Sequence, residues 1–205
     1  TAVDGVGAIL DGTMGKDNFI GNINLTTTSV FTGATSTTSI GPFIAGVYSS
    51  HSVGLTLASN NATITATNSG GSEAGSSDEF SIEPNVPDVD SSFFYANPDS
   101  LIADGVSQSI ITVQLRDEYG NNAIGNVSET ILITKSSGTG SISVTTGNAD
   151  GTYSATVTAP SSVGSAIFAA SIDASSITSG NATIIYTYSE LATFLVEATG
   201  GGNIG

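Results

Sequence analysis

Apolar and polar residues alternate in short runs along the whole chain. The first runs are Ile23-x-Leu25, Val53-x-Leu55-x-Leu57, Ile64-x-Ala66 and Phe80-x-Ile82, and the later ones are Ile111-x-Val113-x-Leu115, Ile131-x-Ile133, Tyr153-x-Ala155-x-Val157, Ile167-Phe168 and Ile184-x-Tyr186. A period of two over a few residues is typical of half-buried antiparallel strands, and the Gly, Asn, Asp, Ser and Pro residues between the runs favour turns. No stretch keeps a helical apolar period, so the pattern predicts an all-β chain.

The chain also contains an internal repeat. GVYSSHSVGLTL from Gly46 aligns with GTYSATVTAP from Gly151, NATITATNSG from Asn61 with SAIFAASIDA from Ser165, and DEFSIEP from Asp78 with ATIIYTY from Ala182. The offset is about 104 residues, close to the length of one immunoglobulin-like sandwich. Two such sandwiches in tandem are therefore predicted.

Domain boundaries follow from the frame of this repeat. The segment EPNVPDVD, residues 83–90, has the prolines and acids of a linker, and LATFLVEA from Leu191 aligns with SSFFYANP from Ser91. The second copy has FFYANPDSLIADGVSQSIITV from Phe93, read as two strands, for which the first copy has no equivalent. We predict a partial sandwich at 1–86 that lacks its opening strands, a complete antiparallel sandwich at 87–190, and the first strand of a following repeat at 191–205.

The composition excludes several function classes. Charged residues make up only 10 % of the chain, with 3 Lys and Arg against 18 Asp and Glu and a net charge of −15. Nucleic-acid binding needs a basic surface, and an anionic membrane would repel this chain. No apolar run is long enough for a membrane-spanning helix, so direct membrane insertion is not expected. The absence of cysteine excludes a disulfide scaffold and thiolate metal sites.

Particular motifs resemble a known family. DSLIADGVSQSIITVQLRDEYGNNAIG from Asp99 resembles the opening of the bacterial immunoglobulin-like repeat domains of invasin and intimin adhesins, with an A-D-G turn, a T-V-x-L strand and D-x-x-G-N. NADGTYSATVTAP from Asn148 is similar to a later strand of that family and to the D-G-T-Y strand of filamin repeats. FTGATSTTSIGPFIAGVYSS from Phe31 looks like a related repeat of very long bacterial surface proteins. The resemblance implies an extracellular location on the bacterial cell surface.

Catalytic chemistry is not expected. His51, in YSSHSVGL, lies among serines, but it also continues the face of Val53, Leu55 and Leu57 at the start of a predicted strand. There is no G-x-S-x-G elbow, and a carboxylate pair needs a cleft that sandwich repeats rarely offer. The sequence therefore predicts a protein that is not an enzyme and needs no cofactor.

Calcium is the ligand that the acidic residues favour most, because it takes oxygen ligands from carboxylates, carbonyls and amides. One group of oxygens is Glu83, Asp88 and Asp90 at the predicted junction, and a second is Asp117 and Glu118 in the turn before Asn121. The alternatives are hydrated acids and an ordinary turn. Neither group has the spacing of an EF-hand loop.

Other surface chemistry is less specific. Lys16 and Lys135 are the lysines available for a Lys–Asn cross-link, although a solvated lysine explains each of them. Four Asn residues lie in N-x-S/T sequons: Asn24, Asn61, Asn126 and Asn181.

Two function hypotheses follow. The first is a stalk or fibre segment of an adhesin whose partners are neighbouring repeats or other copies, assembling head to tail if residues 191–205 add as a strand to the first copy of another chain. The second is a module that binds a host or surface glycan or protein, for which Tyr119 and the aromatic run Phe93–Phe94–Tyr95 are candidates. In the simpler interpretation, Phe93 and Tyr95 are core and strand residues.

Overall fold

The computed structural model describes residues 21–31, 37–48, 51–71, 73–125 and 127–189. These residues form strands, turns and loops and no helix, which confirms the all-β prediction. They separate into two compact units. The first unit extends to Val86 and includes Tyr119–Asn121, and the second covers Pro87–Glu118 and resumes at Asn122. The division predicted at 1–86, 87–190 and 191–205 stays a prediction, because residues 1–20 and 190–205 lie outside the described residues.

The first unit contains one four-stranded and one two-stranded sheet. The strands are β1 (Ile23–Thr27), β2 (Thr37–Ile40), β3 (Ser59–Ala62), β4 (Ile64–Asn68), β5 (Ala74–Ser76) and β6 (Phe80–Ile82). The order in the larger sheet is β2-β1-β4-β5, and β3 pairs with β6. β1 and β4 are antiparallel, with Leu25 opposite Ala66. The buried side chains include Leu25, Phe31, Phe43 and Ala62.

The predicted strand at Val53–Leu57 is wrong. Leu55 forms a single isolated bridge with Phe31, and Thr56 N–H donates to Val30 O at 2.8 Å. These few bonds hold the segment beside Val30 and Phe31 without building a ladder. Leu57 is 47 % exposed, so the alternating pattern here does not mark a buried face.

The second unit is built of ten strands. They are β7 (Phe93–Asn97), β8 (Ser100–Ile102), β9 (Gln108–Gln114), β10 (Ile131–Gly138), β11 (Ser141–Ile142), β12 (Thr146–Gly147), β13 (Thr152–Thr158), β14 (Gly164–Ile172), β15 (Ser175–Ser176) and β16 (Ser179–Thr187). The order along the main path is β10-β14-β16-β7-β9-β13-β11, with β12 on β13, β15 on β14 and β8 on β16.

The core of the second unit follows the period-two pattern. In β13 every second residue is buried, and β9 and β16 contribute in the same way, because successive side chains point to opposite faces of a strand. The buried residues of these three strands are Ser109, Ile111, Val113, Tyr153, Ala155, Val157, Ala182, Ile184 and Tyr186. The Tyr153 hydroxyl accepts a hydrogen bond from Val127 N–H at 3.0 Å, so its polar tip is satisfied inside the sandwich.

The opening of this unit has more strands than predicted. The segment from Phe93 to Val113, read as two strands in the sequence, forms β7, β8 and most of β9. Pro98 lacks a backbone N–H and cannot continue a ladder, so the chain leaves β7 at Asn97 and resumes at Ser100 beside a different part of β16. The opening segment of the unit therefore pairs with β16 twice, once through β7 and once through β8.

The repeat alignment preserves part of the strand pairing. In the second unit β14 pairs with β16, with Ala166 opposite Ile184. The aligned residues of the first unit, Ala62 and Phe80, also lie opposite each other, in β3 and β6. β4, which aligns with the rest of β14, pairs with β1 and β5 in a separate sheet.

One edge of the second unit is guarded. Among the described strands β10 pairs only with β14. On its open side the Ile133 N–H donates to the Thr145 hydroxyl at 2.9 Å, and the ladder with β14 is irregular between Lys135 and Ser137. Side-chain capping, a bulge and a lysine are features by which natural sheets resist unwanted strand pairing. Within the described part of the chain, no helix is long and apolar enough to cross a bilayer.

Candidate functional site

The aromatic run on β7 divides between the core and the surface. Phe94 is 6 % exposed and belongs to the core, whereas its neighbours Phe93 and Tyr95 point to the opposite face, where Tyr95 is 44 % exposed. Phe93 and Tyr95 lie in a strand, as predicted, but the prediction that they are core residues is wrong by one residue of register. Three aromatic residues in a row satisfy either phase of a period of two, and only the pairing with the next strand decides between them.

Phe93, Tyr95 and Arg116 form one contiguous arrangement. The rings of Phe93 and Tyr95 are nearly parallel, at 22°, with their centroids 6.3 Å apart. The guanidinium carbon of Arg116 lies over the Phe93 ring, 4.9 Å from its centroid, and Arg116 Nε donates to Asn122 Oδ1 at 3.0 Å. A cation over an aromatic ring contributes about 0.5–1 kcal/mol at an exposed site. Arg116 therefore fixes the position of Phe93, and Tyr95 is the solvent-exposed end of the arrangement.

The residues that flank these rings on the neighbouring strands are polar and uncharged. On one side Gln114 lies opposite Phe93 and Thr112 opposite Tyr95 in β9. On the other side Ser179 and Asn181 of β16 hold the equivalent positions. Because facing residues of adjacent strands point to the same side of a sheet, these six side chains share one surface. We call this surface the aromatic face, made of Phe93, Tyr95, Thr112, Gln114, Ser179 and Asn181.

The acids predicted at the junction have separate environments. Glu83 is an exposed residue of the first unit. In the second unit Asp88 Oδ1 accepts hydrogen bonds from the N–H groups of Asp90, at 3.1 Å, and Ser91, at 3.0 Å. Asp88 thus closes the turn that leads into β7, as an aspartate before a turn commonly does. Asp90 is exposed.

The acids of the second predicted group also differ from each other. Asp117 is almost fully buried, at 1 % exposure, whereas Glu118 is exposed. The loop is closed by the bridge between Arg116 and Asn122 and by Ala123 N–H donating to Leu115 O at 3.0 Å. Among the described residues, no three His, Cys, Asp or Glu side chains lie close enough together to hold a metal ion. Calcium binding stays a prediction.

The A-D-G turn contains an acid, Asp104, whose pKa is strongly lowered. Asp104 accepts from Ser107 N–H at 2.7 Å, from the Ser107 hydroxyl at 2.7 Å and from Val106 N–H at 2.9 Å. These bonds favour the charged form and lower the pKa of Asp104 to about 2. Asp104 is an exposed turn residue, so this shift reflects a closed turn and not a catalytic group.

His51 and Lys135 lie outside any cluster of reactive groups. His51 is exposed, belongs to no strand, and has its ring edge-on to Tyr48 with centroids 6.3 Å apart, so the predicted continuation of a Val53–Leu57 face is wrong. Lys135 lies within β10, and its Nζ donates to Gly140 O at 2.7 Å. Lys16 and Asn126, named as cross-linking and sequon candidates, lie outside the described residues. Of the other sequons, Asn61 donates from Nδ2 to Glu79 at 2.9 Å.

One sequence family matches a large part of the chain. The sequence family described as invasin, domain 3, matches residues 88–189. No curated protein matches the chain at a significant level. Among solved structures, the Yersinia pseudotuberculosis adhesin InvE is 27 % identical over 49 % of this chain and 27 % of its own, with a TM-score of 0.42.

Two further structures are similar over more of the chain. Invasin, described as a bacterial integrin-binding protein, is 23 % identical over 92 % of this chain and 35 % of its own, with a TM-score of 0.44. Yersinia pseudotuberculosis InvD is 18 % identical over 85 % of this chain and 49 % of its own, with a TM-score of 0.46. The chain therefore spans between 27 % and 49 % of the length of these three proteins.

The family match and the described fold coincide. All ten strands of the second unit fall within residues 88–189, and so do the A-D-G turn at Asp104 and the D-G-T-Y strand at Asp150. The described strands are those of an all-β sandwich with buried faces supplied by alternating residues. Residues 88–189 belong to the invasin domain 3 family, and the chain therefore carries an immunoglobulin-like adhesin domain of the invasin/intimin type.

Proposed function

We propose that the chain is a structural stalk segment of an extracellular bacterial repeat protein, displayed on the cell surface. The observation that carries this proposal is the direction of the terminal strands of the second unit. β16 is parallel to β7, with Ser179 opposite Phe93, and parallel to β8, with Thr187 opposite Ile102. The chain thus enters the sandwich at one end and leaves it at the other.

The length gained by this arrangement follows from strand geometry. From Ser179 to Thr187 the chain advances eight residues, which at about 3.3 Å per residue is about 26 Å. If the terminal strands were antiparallel, entry and exit would lie side by side and the module would add no length between its ends. A module with its ends at opposite poles suits a stalk.

The same strands determine how the unit resists tension. A force applied through the two ends slides β16 along β7 and β8, so the hydrogen bonds of both pairings are loaded together. In an unzipping direction the bonds would instead break one after another. The second unit is therefore expected to be strongest along the direction in which a surface stalk is pulled.

Single-molecule force spectroscopy tests the proposal. Because the sequence has no cysteine, cysteine handles can be placed freely. One pair, at Ser91 and Ser189, loads the terminal strands in shear. The matched pair, Glu129→Cys and Ala174→Cys, lies at the adjoining ends of β10 and β14 and pulls them apart in the unzipping direction. We expect clearly higher unfolding forces for the first pair, and equal forces would overturn the stalk proposal.

Assembly of copies by strand addition is a further part of the proposal. In the first unit, β2 and β5 each pair on one side only among the described strands, which leaves backbone groups for another strand. The guarded edge of β10 offers no such opportunity. The partner segment, residues 191–205, lies outside the described residues. Mass spectrometry that found peptides continuing beyond Thr1 and Gly205 in one parent chain would remove the motive for exchange between copies, because neighbouring repeats would then supply the strands.

Two other expectations stay predictions. A non-enzymatic role agrees with the adhesin family of residues 88–189, and turnover of any substrate by the purified chain would contradict it. Calcium at Glu83, Asp88 and Asp90 or at Asp117 and Glu118 can be measured by isothermal titration with calcium. The Asp88 carboxylate accepts hydrogen bonds from backbone N–H groups, so any ion there would compete with the turn.

A further inference from the structure

We propose that the aromatic face of the second unit is a binding site for an uncharged oligosaccharide. This surface is made of Phe93 and Tyr95 on β7, Thr112 and Gln114 on β9, and Ser179 and Asn181 on β16. The stalk proposal depends on the direction of the terminal strands and not on the side chains of this surface, so either proposal can fail without the other.

The two rings supply the apolar part of such a site. Sugar rings present C–H groups on their faces and hydroxyl groups around their edges, so they bind where an aromatic surface adjoins hydrogen-bonding groups. Tyr95 is 44 % exposed and combines an apolar ring with a polar hydroxyl. An ordinary outer strand face in a sandwich carries polar residues, so an aromatic pair there is the feature that needs a ligand or another explanation.

The rings are also held in place before any ligand arrives. The nearly parallel arrangement at 22°, the Arg116 guanidinium 4.9 Å from the Phe93 centroid, and the bond from Arg116 to Asn122 restrain Phe93 from one side. The main chain of β7 is fixed between β9 and β16. A surface that is rigid in the free protein loses less conformational entropy on binding. Arg116 is accordingly a positioning residue in this site.

The polar part of the site comes from the flanking strands. Gln114 and Thr112 lie on one side of the rings and Ser179 and Asn181 on the other, and adjacent strands are about 4.8 Å apart. That spacing is comparable to the width of a single pyranose ring. Hydroxyl and amide side chains both donate and accept hydrogen bonds, as sugar hydroxyls do. The polar side chains of β9 and β16 can therefore form hydrogen bonds with hydroxyl groups on both edges of a sugar that lies over Tyr95.

Charge determines which sugars fit. None of the six residues is ionisable at neutral pH, and the chain as a whole carries a net charge of −15. Arg116, whose guanidinium lies over Phe93, contributes one positive charge beside this face. The net field of the whole chain is nevertheless negative, which disfavours strongly sulfated or carboxylated glycans and a second copy of this acidic chain. An uncharged glycan meets no such repulsion.

The experiment uses the full 205-residue chain on an array of uncharged oligosaccharides of glucose, galactose and N-acetylglucosamine, printed beside their sialylated counterparts. The best ligand is then titrated by saturation-transfer NMR. We expect uncharged glycans to bind and Tyr95→Ala to weaken binding at least tenfold. Tyr95→Phe, which keeps the ring, should lose less.

The matched control is Tyr188→Ala, because Tyr188 is 81 % exposed and lies outside the aromatic face. It should leave affinity unchanged. Thermal melting and far-UV circular dichroism confirm that each variant is folded, as expected for residues this exposed. The proposal is overturned if no uncharged glycan binds, if only the sialylated glycans bind, or if Tyr95→Ala and Tyr188→Ala bind equally well.

Discussion

Replacing Gly180 by alanine tests whether the backbones of the terminal strands β16 and β7 lie as close together as the structure shows. Gly180 has a φ of +102° and faces Phe94 in the parallel pairing of β16 with β7. A Cβ built on it would overlap the Phe94 carbonyl oxygen and lie 2.9 Å from Phe94 N. Both contacts are with backbone atoms, so they are relieved only if the two strands separate.

The expected loss has two parts. An alanine held in the left-handed region costs about 1–2 kcal/mol. Separating β16 from β7 also weakens roughly two hydrogen bonds of a pairing that spans Phe93–Tyr95, at about 1 kcal/mol each. Gly180→Ala should therefore destabilise the second unit by about 3–4 kcal/mol in total.

The matched control is Gly125→Ala. Gly125 has a φ of +68° but no atom within 4 Å of a built Cβ, so it carries only the conformational cost of about 1–2 kcal/mol. The assay is urea unfolding with hydrogen exchange followed in the peptide 179–187, because two units in one chain do not unfold in a single two-state step. The difference of about 2 kcal/mol corresponds to a midpoint about 1 M urea lower for Gly180→Ala. Equal losses in the two variants would refute the close approach of β16 to β7.

Two ionisable groups give further predictions. Since the pKa of Asp104 is about 2 in the folded unit and 3.8 ordinarily, the stabilisation from its bonds to Val106 and Ser107 is present above about pH 4 and is lost as pH falls towards 2. NMR titration of the Asp104 carboxyl should show this low midpoint, and a midpoint near 4 would contradict the turn. Burial raises the pKa of the Tyr186 phenol. The neutral phenol therefore stabilises the folded unit fully below pH 10, and this stabilisation is lost as the pH rises through the higher pKa of the folded state. In a pH titration, the absorbance of the Tyr186 phenolate should therefore appear only above pH 10. Tyr186→Phe, which removes the 3.2 Å hydrogen bond to Thr139 O, should lower the free energy of unfolding by about 1 kcal/mol. A gain in stability would show that this bond contributes nothing.

The parts of the fold that could be predicted are those in which local pattern and burial agree. In TYSATVT, residues 152–158, each apolar residue is buried and each polar residue lies on the other face. No competing phase exists there, so the sequence predicts both the strand and its orientation. The same holds for Ile111 and Val113 in β9.

The failures occur where the pattern allows two answers or where pairing partners are missing. Phe93–Phe94–Tyr95 is apolar in either phase, and Val53–Leu57 alternates but, among the described residues, has only Phe31 as a bridge partner. Alternation describes one strand, whereas a ladder needs a second strand in register.

The candidate site shows the same limit. The contact of Arg116 with Phe93 joins the ends of two strands that pair antiparallel, so its residues are distant in sequence and near in space. Once that pairing is assumed, Phe93 lies opposite Gln114, and Arg116 follows two residues later. The role of Asp88 is easier to predict from sequence, because an aspartate just before a turn commonly accepts hydrogen bonds from the N–H groups that follow it.

The pairing of β16 with both β7 and β8 also has a consequence for the order in which the module folds. Phe93 meets Ser179 and Ile102 meets Thr187, so contacts between the first and last strands wait for nearly the whole module to be synthesised. Folds with such distant contacts form slowly, because the chain must close a long loop before those contacts form. The ladders of β9 with β13 and of β10 with β14 need no residue beyond 172, so they can form before the terminal strands join.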